Sequence, residues 1–418
     1  MSLTKQRAPE PLGPIAGLPT RHGADVAKAR RVSRNLQLLL RGVSAEPTPE
    51  QWRARAEALL QGDPLADAVV AWMREAGMAA GMQMFNRALE HGIDTVPDAP
   101  EVLVRFFAEA ERRPSWVDPE LLAAGARACH IGGLVGLRAM RDAALMGGYQ
   151  ASAINRTLIL TGALARGAQR RLAETTKWWI DCTADGGMER FAPGFKTTLH
   201  VRLMHTLVRQ RVRRMPEWDA AALGLPVNQA DMQVTYLGFS VVYLIGQRLM
   251  GVKITPDEAQ AVMHLWRYIG WLMGVDEHLL CETEIEGRIE LYQSLLSQAP
   301  ADESSKQLGR ALLDEPLTRH YPHLQKLMGR WERAKHVSIA RFFLSRESMI
   351  DLGLPGFALP WYPLLTIPLT AARHRLIRLL PGGLDYLIRR GRVEQEGYLR
   401  VMFGSAAPDV AQLQAHHP

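Results

Sequence analysis

The stretch FKTTLHVRLMHTLVRQRVRR, residues 195–214, decides how the chain is read, because it sets two histidines and five arginines into an otherwise apolar helical pattern. With His205 as origin and about 100° per residue, Val201, Val208 and Val212 fall within about 60° on one side. Arg202, Arg209 and Arg213 fall within about 80° on the other. Leu199, Leu203 and Leu207 take the opposite face, so the helix is expected to be buried on two sides. His200 lies about 140° from His205, too far round for the two to share one metal, and reads as structural.

His205 thus sits on a seam between an apolar and a cationic stripe. Such a seam suits the proximal side of a haem b: a neutral imidazole for iron, branched aliphatics against the porphyrin, and the guanidiniums of Arg202 and Arg209 where propionates leave the ring plane. The same spacing also suits a hydrogen-bonded core or surface histidine, and the helix alone leaves both readings standing.

Outward from this helix, helix-length segments follow one another with Pro or Gly punctuation, and strict alternation is hard to find. The spacing predicts helices over about 49–61, 64–91, 118–146, 149–182, 196–214, 231–250, 256–273, 283–298 and 317–349. The β-rich run VTYLGFSVVYLIGQ is read as a buried helix because of its length and flanks, and TPDE at 255–258 as a helix cap. The fold class is all-α. Residues 1–23 form an irregular Pro- and Gly-rich segment, 24–146 an N-terminal helical region, 147–300 the core that carries the chemistry, and 301–418 a C-terminal helical region. One large domain or two lobes both fit 418 residues.

Fifty basic residues against 43 acidic ones favour an anionic partner only mildly. No zinc finger, basic zipper or single-strand-binding aromatic motif accompanies the arginines, so nucleic acid is not an expected partner. Three cysteines far apart give neither a disulfide framework nor a C-x-x-C site. The first 23 residues hold no apolar run of signal-peptide length, and a cytoplasmic location is expected. Residues 356–372 carry no charge, yet Pro360, Pro363 and Pro368 interrupt them, which argues against a spanning helix. Peripheral membrane contact through 356–372 and an ordinary core-covering segment both remain open.

The usual catalytic signatures are missing: no G-x-S-x-G, G-x-G-x-x-G, phosphate loop or H-E-x-x-H. None of the 13 histidines has a glutamate three residues before it, which removes the carboxylate-bridged di-iron bundle. Chemistry in such a helical protein is expected from a bound cofactor. In the preceding helix, Leu160, Leu164, Arg171, Thr175 and Trp178 form a stripe beside the small Gly167 and Ala168. An arginine and a threonine hydroxyl one turn apart could orient oxygen and a water above an iron; a solvated arginine on an amphipathic helix is the plainer reading.

These residues match a known pattern. Arg171, Thr175 four residues on, His205 thirty beyond that inside VRLMH, the flanking RRLAETTKWW and FKTTLHVRLMHTLVR, and WRYIGWLMGVDE downstream resemble the catalytic domain of latex clearing proteins, or rubber oxygenases. The domain is shared with the fungal oxygenase of mycophenolic acid biosynthesis, and the likeness covers about Gly147 to Trp271. It implies a globin-like helical core with additional N- and C-terminal helices, haem b with iron on His205, Arg171 and Thr175 on the distal side, and Arg202 behind the ligand. By the same resemblance, the expected reaction is O2 insertion or cleavage at a C=C bond of a hydrophobic small molecule, an isoprenoid or lipid. Two alternatives stay open: peroxidase or peroxygenase chemistry, and a haem-binding gas sensor or carrier.

Two departures bear on the substrate. Where rubber oxygenases place a lysine before the threonine, this chain has Glu174. Where they place a glutamate base, constant spacing lands on Asn155, which cannot take a proton. Glu174 is the candidate replacement base, and with the missing export signal these changes point away from solid rubber.

Overall fold

Helix caps set the frame. Thr48, Thr255 and Thr283 each accept a hydrogen bond from the backbone N–H three residues on, while Gln51, Glu258 and Glu286 reach back to the cap's own N–H. This reciprocal pairing satisfies donors that a helix start leaves unbonded, and Pro49, Pro64 and Pro256 stand at first positions where no N–H is needed. The computed structural model describes residues 12–40, 42–162 and 167–404. Among them every regular element is helical, so the fold is all-α.

The longer helices are α1 (Pro49–Glu57), α2 (Pro64–Ala76), α3 (Met78–His91), α4 (Glu101–Glu111), α5 (Pro119–His130), α6 (Gly133–Ala139) and α7 (Ser152–Leu160). They continue as α8 (Ala168–Cys182), α9 (Pro193–Val212), α10 (Gln229–Leu237), α11 (Pro256–Leu272) and α12 (Glu284–Ser297). The C-terminal set is α13 (Glu303–Asp314), α14 (Gln325–Phe343), α15 (Trp361–Arg378) and α16 (Gly383–Phe403).

Several expected spans are cut. The 64–91 segment breaks at Gly77, whose φ of +99° only glycine adopts freely. The 118–146 segment breaks after His130, and its last part, Met140–Leu145, winds as a π-helix. The 149–182 segment is two helices, and Leu164 of the expected stripe lies outside the described residues. Within 317–349 the helix starts only at Gln325, and α4 and α13 were not singled out by their spacing. The VTYLGFSVVYLIGQ run is helical, passing through a second π-helical stretch at Gly238–Val242.

No spanning helix runs through 356–372, yet its prolines do not prevent a shorter one, Trp361–Arg378. Pro363 stands in the first turn of α15, where N–H groups have no intrahelical partner, and Pro368 inside it forfeits one bond. No helix among the described residues is long and apolar enough to cross a membrane.

One buried cluster runs from Ala66 to Leu291 and draws on both sides of residue 147. A second joins Met146, Leu172 and Ala173 to Leu312, Ala340, Met349 and Met402, seating α8 on the C-terminal helices. Residues 12–23 are irregular but pinned: Trp52 donates to the Gly13 carbonyl at 2.9 Å and Arg21 pairs with Asp231 at 2.8 Å. Residues 1–11 of the expected irregular segment lie outside the described residues.

Candidate active site

The opening helix becomes α9, started by Pro193 at its first position. Thr198, Arg202, Thr206 and Arg209 are buried on one flank of His205, and Val201, Met204 and Val208 are half-buried on the other. Leu199 and Leu203 are buried behind. The seam is therefore real, with the difference that its cationic side points into protein; Arg213 is exposed at the helix end.

Both buried arginines are occupied. Arg202 clasps Asp63 through Nε and an amino group at 2.6 and 2.9 Å, and its guanidinium lies 5.2 Å from the Phe106 ring. Arg209 reaches Asp67 at 3.1 Å, the Val227 carbonyl at 3.1 Å and the Thr206 hydroxyl at 3.0 Å. These bonds lash α9 to the start of α2. Gly274 closes over the first pair: a Cβ there would stand 2.4 Å from an Asp63 oxygen and 2.7 Å from Arg202 Nε.

His205 itself is half-buried, and its Nδ1 is buried without a hydrogen-bond partner among the described residues. Burial, reinforced by the Arg209 charge, pushes its pKa down to about 4, so the ring is neutral near pH 7 and keeps a lone pair available. Among the described residues no three His, Cys, Asp or Glu side chains converge on a metal site. A single imidazole is sufficient where a porphyrin supplies the other donors, and a neutral ring with an orphaned buried nitrogen fits that role.

Helix α8 carries Arg171, Glu174 and Thr175. Its Trp178 indole donates to the Thr198 hydroxyl at 2.9 Å, and Cys182 Sγ lies 3.8 Å from the Gly194 carbonyl. Four residues forward on α8 correspond to four residues back on α9, so the two helices run antiparallel. Seven residues back from Trp178 is Arg171, and seven on from Thr198 is His205, so about two turns along the pair these two stand level. Thr175 is likewise level with Val201. Arg171 is half-buried with no ion pair among the described residues, and its charge acts on the buried Tyr149 hydroxyl. Thr175 is exposed, and Glu174 is half-buried with Arg170 at 2.9 Å.

Asn155 is fully buried on α7, its amide donating to the Tyr149 carbonyl at 2.6 Å and the Ser305 hydroxyl at 3.2 Å. It ties α7 to α13 and the turn before it. The sequence reading missed a wholly buried ionic group that joins the π-helical Met140–Leu145 stretch to the C-terminal helices. Arg141 bonds Asp142 at 2.5 Å and Glu315 at 3.0 Å, Arg319 bonds Glu315 at 2.7 Å, and His336 Nδ1 meets Asp142 at 2.6 Å. Arg319 also approaches His336 Nε2 at 3.3 Å, so that nitrogen accepts and Nδ1 donates to the carboxylate. The available signal was the adjacent Arg141–Asp142 pair inside an apolar helical run; its partners, over 170 residues later, had none.

A family model described as the ER-bound oxygenase mpaB/B'/Rubber oxygenase catalytic domain matches residues 135–378. The rubber oxygenase of Streptomyces sp. (strain K30) is 25% identical over 234 residues, 53% of this chain and 55% of that protein, so the match spans little more than half of the relative. The solved structure of Latex Clearing Protein LCP in the closed state has the same fold, with a TM-score of 0.59 at 20% identity over 80% of this chain and 91% of that one. With more than half of its residues inside the matched domain, the chain belongs to the mpaB and rubber oxygenase family.

Proposed function

We propose that the protein is a haem b oxygenase that acts on a hydrophobic unsaturated substrate, an isoprenoid or lipid, with insertion or cleavage at a C=C bond to give carbonyl products. The observation that carries this reading is the neutral imidazole of His205, its buried Nδ1 without a partner among the described residues, level on an antiparallel helix pair with the guanidinium of Arg171, which has no ion pair among the described residues. His205 would hold the iron, and haem so held would supply the activation of O2.

The chain's own residues divide the remaining work. Arg171 donates hydrogen bonds on the side facing His205, and the Thr175 hydroxyl, one turn on, positions a water or the bound oxidant. Glu174 is the candidate proton acceptor, reached when its carboxylate leaves Arg170. Arg202 and Arg209 act from behind, their pairs with Asp63 and Asp67 fixing the rotation of α9 and with it the direction of the His205 ring. The membership in an oxygenase family supports O2 as oxidant, and the absence of a carboxylate at Asn155 supports a substrate other than the one for which the Streptomyces relative is named.

The test is an absorption spectrum of the protein made with ample haem, for wild type and His205→Ala, followed by product analysis with an alkene lipid under O2. A Soret band that His205→Ala abolishes or shifts, together with carbonyl products, is expected. An unchanged spectrum in the variant overturns the assignment of His205, and haem binding without products overturns the oxygenase in favour of a carrier or sensor.

A further inference from the structure

We propose that the outer face of α15, with the segments either side of it, docks on the surface of an anionic phospholipid bilayer. This inference stands apart from the oxygenase reading and rests on the orientation and charge of one helix.

α15 is amphipathic in the inverted sense. Leu364, Leu365, Leu369, Leu376, Leu379 and Leu380 are each at least 62% exposed, whereas Pro363 and His374 are buried. At about 100° per residue Leu364, Leu365, Leu369 and Leu376 span a face of about 140°, filled in by Pro368 and Ala372, and Leu379 and Leu380 continue it in the turn that ends the helix. Arg375 lies at one margin of that face and Arg373 at the other. Phe357 and Leu359 before the helix, and Leu384 and Tyr386 after it, are exposed as well, extending the apolar surface at both ends.

The inner face is fixed, so the leucines have no route to the core. Arg138 donates to the Tyr362 hydroxyl at 2.6 Å, the Tyr362 N–H donates to Ser338 at 2.9 Å, and Arg378 grips Glu258 at 2.8 and 2.9 Å. Six exposed leucines with a rigid backing are far more than the scattered apolar residues an ordinary surface carries.

Charge decides what covers them. From residue 352 to residue 384 the chain has no aspartate or glutamate, and it has Arg373, Arg375 and Arg378. The flanking acids are engaged: Asp351 with Lys28 at 2.6 Å and Asp385 with Arg127 at 2.7 Å. A second copy of this chain would therefore bring arginines to arginines with no acid on the face to neutralise them. A bilayer offers hydrocarbon for the leucines and phosphates at the depth to which arginines at the two margins extend. At about 27 Å long the helix lies in the plane of such a surface, and neither it nor any other described helix is apolar enough to cross.

The test is flotation of the full chain with phosphatidylcholine vesicles, with and without phosphatidylglycerol. Three proteins are compared: wild type, Leu365→Ser/Leu376→Ser/Leu379→Ser, and Arg373→Gln/Arg375→Gln, with circular dichroism and melting confirming that the variants fold. Wild type is expected to float with the anionic vesicles; the leucine variant should bind at least about a hundredfold more weakly, and the arginine variant should lose preference for the anionic lipid by about fivefold per arginine. The inference is overturned if wild type stays with the soluble fraction, if the leucine variant floats equally well, or if the leucines instead hold a dimer that does not bind vesicles.

Discussion

Arg202 and Asp63 form a two-pronged ion pair, at 2.6 and 2.9 Å, three residues before His205 and at the first turn of α2. Asp63 also accepts the Ala66 N–H at 3.2 Å, so one carboxylate caps α2 and holds α9. Two planar groups joined by parallel bonds fix rotation as well as distance, and this pair sets where the imidazole one turn on can point.

Breaking the pair leaves a guanidinium buried with no carboxylate. Asp63→Asn keeps an acceptor for the cap and removes the charge, and should cost about 3 kcal/mol; Asp63→Ala loses the cap too and should cost about 1 kcal/mol more. Asp63→Ala/Arg202→Met removes both charges and should recover at least half of the loss. Urea unfolding of the three variants checks the order, and an Asp63→Asn protein as stable as wild type would show that the pair contributes little.

The parts of the fold that local chemistry writes were legible. Thr255, Pro256 and Glu258 announce a helix start by their own side chains, and the seam through His205 follows from the 3.6-residue period. What the period cannot say is which stripe faces inward. On α9 the arginines turn into protein because Asp63 and Asp67 await them there, 139 and 142 residues earlier in the chain. On α15 the leucines face out and His374 faces in, the reverse of the usual rule, because Glu258, Ser338 and Arg138 hold the polar face. The level placement of Arg171 with His205 needed the Trp178–Thr198 bond, which sets the register between two helices and has no local signature.

Asn155 separates a structural role from a catalytic one. Its amide nitrogen donates to a backbone carbonyl and to Ser305, so the side chain must present a donor where a glutamate would present an acceptor. Asn155→Ala removes both bonds and should destabilise by about 1–3 kcal/mol. Asn155→Glu should destabilise more, by several kcal/mol, because its carboxylate would be buried against the Tyr149 carbonyl. Thermal melts of both variants provide the measure. If Asn155→Glu instead folds as stably as wild type and raises turnover, the position is a base site in a lapsed state rather than a tie between α7 and α13.

Stability should depend on pH through two buried histidines away from the candidate site. The His22 ring lies 4.0 Å from the Trp52 ring, tilted 46° to it, and burial, with the Arg55 and Arg21 charges, pushes its pKa down to about 4. His374, on the inner face of α15, is pushed down to about 4 by burial and by Arg373 and Arg378. In the unfolded chain both return to about 6.5. Between these values the unfolded state binds the extra protons, so the stabilisation is complete above about pH 6.5 and is lost as pH falls toward 4. Asp142 works the other way, since burial raises it to about 6 and it takes up its proton in the folded state first, which offsets part of the loss, while the depressed His205 and His336 add to it. From pH 7 to pH 5 each histidine should remove on the order of 2 kcal/mol. The urea midpoint of wild type should fall over this range, and His22→Gln/His374→Gln should flatten the slope even if it lowers stability throughout. A double variant whose midpoint falls as steeply as wild type would mean that these rings are already protonated in the native protein.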